Sequence, residues 1–396
     1  MTPPGAAPSV RPARTLLTAT LSIVLGALPI FMVGAMAVFI RPELGFGESG
    51  LGALATVYYL ASALTTVPGG RLAEHLGGSR AMALGATLAL VTAVGIALFA
   101  TSWATLAILL VIAGVGNGIA FPSSNLAMSR GFPVHRQGVG FAIKQSAGPY
   151  ATVLAGAAVP LIGLTIGWRW AFALMAVATL PIVAGWWHRV DIAPRRPRGP
   201  GPVPKRALWI LAAGAFFGVN GTASLGAFYV ESTVSGGLDP ARAGAFLAIG
   251  SAIGICFRLV WGWIGDRHPH WHVTMLTTLL VVGSGMFLIF GRVQGVVPTF
   301  LISVVVFSTA WAWPSLLGFA VVTRVPDAPG IASGILGAGQ FGGGILGPLT
   351  FGLLAEHSSY RTAWTFAGGM VLAAAVTIFV GGRALERTAT PGRSTR

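Results

Sequence analysis

Acidic side chains are scarce in this chain, ten among 396 residues against twenty-five lysines and arginines. Cysteine is scarcer still: Cys256 stands alone, which excludes an internal disulfide and any multi-cysteine metal site. Charged residues of both signs make up 9% of the sequence, about a third of what a soluble surface needs. All ten acids fall in loops or at the ends of apolar runs, so no proton relay of buried carboxylates is encoded. The seven histidines also read as lying outside the spans, and the alternating His268, His270 and His272 read as a solvated turn rather than a metal site.

What fills the chain instead is apolar: 54% hydrophobic residues, 56 glycines and 25 prolines, with a mean hydropathy of +0.78. In a soluble protein that glycine and proline content would suggest disorder. Inside membrane helices small residues let backbones approach, and proline is tolerated where a neighbour re-satisfies the freed carbonyl. The pattern predicts an all-α integral membrane protein with twelve spans, near 15–39, 49–70, 80–101, 103–129, 138–164 and 169–188, then 207–231, 242–264, 272–291, 296–321, 330–354 and 362–381. The first run is 25 residues, long for a cleaved signal and long enough to span.

Residues 1–14 then form an N-terminal tail, 15–188 a six-helix bundle and 189–206 a Pro- and Arg-rich linker. Residues 207–381 form a second six-helix bundle and 382–396 a C-terminal tail. Of the lysines and arginines in loops and tails, eighteen fall on the side of the termini. Five fall on the other: Arg41, Arg169, Arg242, Arg292 and Arg361. The bias places both termini in the cytoplasm and the chain in the cytoplasmic membrane, and it reads the formal charge of +15 as topology, not nucleic-acid binding. The halves repeat at an offset of 192 residues: Gly70 to Glu74 matches Gly262 to Asp266, Pro122 matches Pro314, Gly138 matches Gly330, and Arg169 matches Arg361. Two pseudo-symmetric bundles follow, with a substrate path between them.

Two cations lie inside spans: Lys144 in the fifth and Arg258 in the eighth. Each is eight residues from a near-side loop charge, Arg136 or Asp266, hence about 12 Å deep, close to the midplane. No acid accompanies them, so the missing counter-charge is read as an anionic substrate. Arg258 offers a bidentate fork and Lys144 a compact point charge. Neutral candidates for the same cavity are Tyr59 and Thr66 on the second span, Asn117 on the fourth, Asn220 on the seventh and Gln340 on the eleventh. Cys256 reads as packing.

The loop Gly70-Arg-Leu-Ala-Glu-His-Leu-Gly77-Gly-Ser-Arg80 resembles the G-x-L-a-D-r-x-G-r-k-x loop of the major facilitator superfamily, with Glu74 for the usual Asp. Its second copy, Gly262-Trp-Ile-Gly-Asp266-Arg267, keeps acid and base and then diverges. The resemblance implies that Arg71, Glu74 and Arg80, with Asp266 and Arg267, hold the inner gate. Arg258, eight residues before Asp266, is similar to the eighth helix of monocarboxylate and oxalate/formate carriers, where a membrane arginine grips the substrate carboxylate. Those porters carry an acid one turn earlier, where this chain has Gly254.

The expected activity is therefore secondary transport of a mono- or dicarboxylate by alternating access, by a monomer with no cofactor. A small inorganic anion such as cyanate, nitrite or nitrate, or efflux of neutral or acidic lipophilic compounds, are the alternatives. An enzyme is not expected, because the spans hold no acid or histidine and Lys144 and Ser146 do not share a helix face.

Overall fold

The structure, a computed structural model, describes residues 12–131, 140, 143–187, 203–325 and 329–388. Most of the expected linker and both chain ends lie outside these. Among the described residues there is no strand. Ten helices are long and apolar enough to cross a membrane.

The first passage is α1 (Pro12–Ala35) followed, after a break at Met36, by α2 (Ala37–Leu44). The next three are α3 (Glu48–Leu76), α4 (Gly78–Phe99) and α5 (Trp103–Gly131). The fifth continues into α6 (Ala147–Ala158) and a π-helical turn, Val159–Gly163, and the sixth is α7 (Trp168–Trp187). The second half runs α8 (Lys205–Ser235), α9 (Pro240–Arg267) and α10 (His272–Phe290). Its tenth passage is split into α11 (Val296–Thr309) and α12 (Trp313–Arg324). Then come α13 (Pro329–His357) and α14 (Tyr360–Thr388). Helix thus enters both the expected linker, at Lys205, and the expected C-terminal tail, up to Thr388. His272, expected in a solvated turn, opens α10 and is 2% exposed.

Glycine sets how closely these helices approach. Gly339, Gly343 and Gly347, one per turn on α13, lie against the α8 backbone at Ala212, Phe216 and Asn220, with no room for a methyl group at any of the three. Gly114 and Gly118 on α5 meet the carbonyls of Tyr58 and Ser62 on α3 in the same manner. Without a hydrophobic driving force between helices in lipid, such backbone contact is a main source of association.

The two bundles meet along three seams. On α6 and α9 a Cβ at Gly156 would sit 2.7 Å from the Gly244 carbonyl, and the Thr152 and Ser251 hydroxyls are 2.7 Å apart. On α3 and α13 Gly52 abuts Pro348, and the Thr56 hydroxyl donates to the Ile345 carbonyl at 2.7 Å. On α1 and α8 a Cβ at Gly34 would be 2.6 Å from the Gly226 carbonyl. All of these lie between mid-depth and the face away from the chain termini, called the far face below.

Two breaks have identifiable causes. Pro149 has no N–H for the Gln145 carbonyl four residues earlier, and the fifth passage breaks at Ser146. Pro314 likewise withdraws a donor from Ala310, and residues 310–312 turn out of helix.

Candidate functional site

Arg258, 4% exposed, reaches from α9 to both of these breaks. Nη1 donates to the Gln145 carbonyl at 2.6 Å and Nη2 to the carbonyl of Trp311. Each acceptor lies at a helix break, and the first belongs to the opposite bundle. Nε is buried without a partner, and no ion pair among the described residues includes Arg258. A guanidinium is therefore held at mid-depth by neutral oxygens with a donor to spare.

Lys144 is 1% exposed. Its ammonium donates to the Asn125 side-chain oxygen and lies 5.1 Å from the centre of the Phe121 ring, both on α5. Phe121 in turn meets Phe341 of α13 edge-on, ring centres 6.0 Å apart, across the bundle interface. The structure thus brings both cations to that interface, since Arg258 bonds the residue next to Lys144, but anchors them on different partners. Asn125 was not anticipated from sequence. The signal was present: Asn117, Phe121 and Asn125 recur every four residues on one face of α5.

The neutral candidates divide. Asn117 donates to the Ser62 hydroxyl at 3.0 Å while its side-chain oxygen is buried without a partner, and Thr66 donates to its own helix at the Ser62 carbonyl, 2.7 Å. Tyr59 stacks edge-on with Tyr58 and lies against Gly344 of α13 at the interface. Gln340 is partly exposed on α13. Asn220 is 5% exposed, and its side-chain oxygen is buried without a partner. Cys256, expected to pack, is exposed.

At the far end a charged cluster joins the bundles. Arg41 on α2 pairs with Glu48 at 2.9 Å and with Glu231, the latter at the end of α8. The Tyr360 hydroxyl donates to Glu48 at 3.4 Å, and Glu356 accepts from the Ser49 amide at 2.6 Å. Burial works to lower the Arg41 pKa, but Glu231 and Glu48 outweigh it and hold it above its ordinary value. Neither Arg41 nor Glu231 was singled out from sequence, because each reads as a helix-end charge until the fold sets them together.

Only part of the expected near-side gate falls among the described side chains. Arg71, Glu74 and Arg80 are exposed, and no ion pair among the described residues links them. Arg267 stacks on Trp263, 3.8 Å from the ring centre, and the Asp266 side chain lies outside those described.

Residues 19–348 match the Major Facilitator Superfamily profile. A probable chloroplastic anion transporter of Oryza sativa subsp. japonica is 27% identical over 220 residues, 53% of this chain and 39% of that protein. A probable sulfoacetate transporter of Cupriavidus necator is 28% identical over 156 residues, 39% of this chain and 35% of that protein. The alignment thus spans well under half the length of either anion relative. A chloramphenicol resistance protein of Streptomyces lividans is 24% identical over 384 residues, 92% of this chain and 95% of that protein. Among solved structures, a bacterial homolog of the human lysosomal transporter Spinster, inward-facing and unoccupied, superposes with a TM-score of 0.76 at 15% identity, covering 98% of this chain and all of that one. A D-xylose–proton symporter gives 0.74 at 17% identity, covering 93% of this chain and 98% of that one.

Proposed function

This chain belongs to the Major Facilitator Superfamily, and we propose that within it the protein is a secondary transporter for a small organic anion, a mono- or dicarboxylate or a sulfonated relative of one. The observation that carries this reading is Arg258: a guanidinium buried between the bundles, neutralised by no acid among the described residues, with Nε unfilled. An oxyanion supplies the absent charge and matches the fork. Lys144, anchored beside it, adds a second positive charge to the same interface, and Tyr59, Asn220 and Gln340 are the neutral groups proposed to complete the cavity. Two partial relatives, one named as a probable anion transporter and one as a probable sulfoacetate transporter, support the class.

With the termini in the cytoplasm, as the arginine bias indicates, the far-end cluster closes the outside and substrate meets the site from the cytoplasm in this conformation. Arg71, Glu74, Arg80, Asp266 and Arg267 are then the groups proposed to close the inner end in the opposite state.

The test is counterflow into proteoliposomes loaded with succinate, lactate or sulfoacetate, comparing wild type with Arg258→Ala and Lys144→Ala. Saturable exchange that collapses in both variants is expected; exchange retained in either removes that residue from the site. The relative that covers nearly the whole chain favours a second reading, efflux of a neutral lipophilic compound. Chloramphenicol extrusion from cells, with no anion exchange in vesicles, would establish it.

A further inference from the structure

We propose that Arg258 is a substrate-operated clip between the bundles, and that Pro149 makes it possible by freeing the backbone oxygen on which the clip closes. This inference rests on the reading of Arg258 as the anion ligand and adds how binding is passed to movement. In an uninterrupted helix the Gln145 carbonyl would accept from the residue at 149. Proline cannot donate, so the oxygen stays available, and the turn at Ser146 presents it to α9. Arg258 takes it with Nη1 and takes the Trp311 carbonyl, in the break before Pro314, with Nη2. One side chain thereby ties the fifth passage of the first bundle to the eighth and tenth of the second.

The tie is made with the far seams closed. A carboxylate or sulfonate arriving at Arg258 competes for the same Nη donors. It is charged where the carbonyls are neutral, so it forms the stronger hydrogen bonds. Binding therefore releases Gln145 and unties the bundles. The empty carrier is held in one conformation and the loaded one is free to turn over, which is the behaviour of an exchanger. Release of a charge-assisted hydrogen bond shifts the balance between the two conformations roughly tenfold.

Pro149→Ala tests this without touching the anion. Alanine restores an N–H that competes with Arg258 for the Gln145 carbonyl and draws that oxygen back into the helix. The reporter is Thr56→Cys in a Cys256→Ser background, a near-isosteric thiol in the far seam between α3 and α13, where the native hydroxyl donates to the Ile345 carbonyl. In proteoliposomes without any anion, labelling of that thiol from the far side by a membrane-impermeant maleimide is expected to quicken several-fold in Pro149→Ala, and again in Arg258→Gln, which is too short to reach both carbonyls. Without either substitution, succinate or sulfoacetate is expected to quicken labelling saturably. Net efflux of preloaded probe, slow beside exchange in wild type, is expected to rise toward the exchange rate in Pro149→Ala.

Wild-type labelling and an unchanged exchange-to-net ratio in Pro149→Ala, with anions still exchanging in wild type, overturn the clip and leave the anion reading standing. Quickened labelling in Pro149→Ala with no effect of either anion on wild type leaves the tie but removes the anion from it, which overturns the inference together with the reading beneath it.

Discussion

At the scale of single residues, charge was legible and partnership was not. Lys144 and Arg258 stand out in apolar runs whatever the fold, so the interface between the bundles was found from sequence. The acceptors of Arg258 are backbone oxygens, and nothing in the identity of Gln145 or Trp311 announces them; the nearest signals are Pro149 and Pro314. Glu231 was read only as one of ten acids at loops or run ends, yet its carboxylate pairs with Arg41 at 15% side-chain exposure. Because two carbonyls are held by two arms of one fork, Arg258→Lys keeps the charge but loses the bridge. Anion exchange by that variant is expected to fall at least ~10-fold, measured as initial rate in proteoliposomes, the equivalent of one charge-assisted bond.

Glu43 permits a prediction with pH. It accepts from the Trp168 indole at 2.6 Å and from Arg169; burial works to raise its pKa, but these two partners outweigh it and hold it below the usual glutamate range. A carboxyl with a depressed folded-state pKa contributes stability above its unfolded value and loses it as pH falls through the folded one. The pair is nearly half exposed, so the contribution is small, roughly 0.2–1 kcal/mol. The melting temperature of Glu43→Gln in detergent is expected to lie slightly below wild type at pH 7. The gap should close from about pH 4 downward, and a gap constant across that window would remove the ion pair from the stability of this corner.

Among the helices, number and order were legible because each is an apolar run bounded by turn residues. The breaks were not. The first passage was expected as one span over 15–39 and the tenth as one over 296–321, and each is two helices in the structure. Hydropathy is blind to an interruption that keeps every side chain apolar. Glycine content announced close packing without saying where: Gly343 and Gly156 look alike in sequence, yet Gly343 packs within one bundle and Gly156 between two. The distinction predicts different phenotypes. Gly343→Val drives a side chain into the α8 backbone in every conformation, and a lowered melting temperature with poor yield is expected. Gly156→Val clashes only where the far seam is shut. It should fold, melt near wild type and lose the far-sealed state, seen as faster labelling of a cysteine at position 56 from the far side, with transport reduced several-fold.

For the whole molecule, the 192-residue repeat made two bundles legible before any coordinates, because equivalent residues at one offset require equivalent folds. Which end was closed had no counterpart in the sequence: the repeat is symmetric, and only assembled contacts distinguish the ends. Those contacts include the Ser49 amide on Glu356, bridging α3 and α13 at 2.6 Å. Cysteines at 49 and 356 in a Cys256→Ser background, joined by a short bifunctional thiol reagent, are expected to block transport, and a reducible linker to restore it on reduction. Transport undiminished by quantitative cross-linking would mean that the far end does not open during turnover.

The unequal sealing of the two ends also has a kinetic signature. A carrier that rests with one mouth shut offers its binding groups to that compartment only in a minority of molecules. The apparent dissociation constant there exceeds the intrinsic one by the inverse of that minority. Saturation measured from opposite sides of an oriented vesicle should therefore yield two half-saturation values for one and the same chemical site. The weaker belongs to the side guarded by Arg41, and the ratio between them gauges how firmly the resting fold favours its closed door.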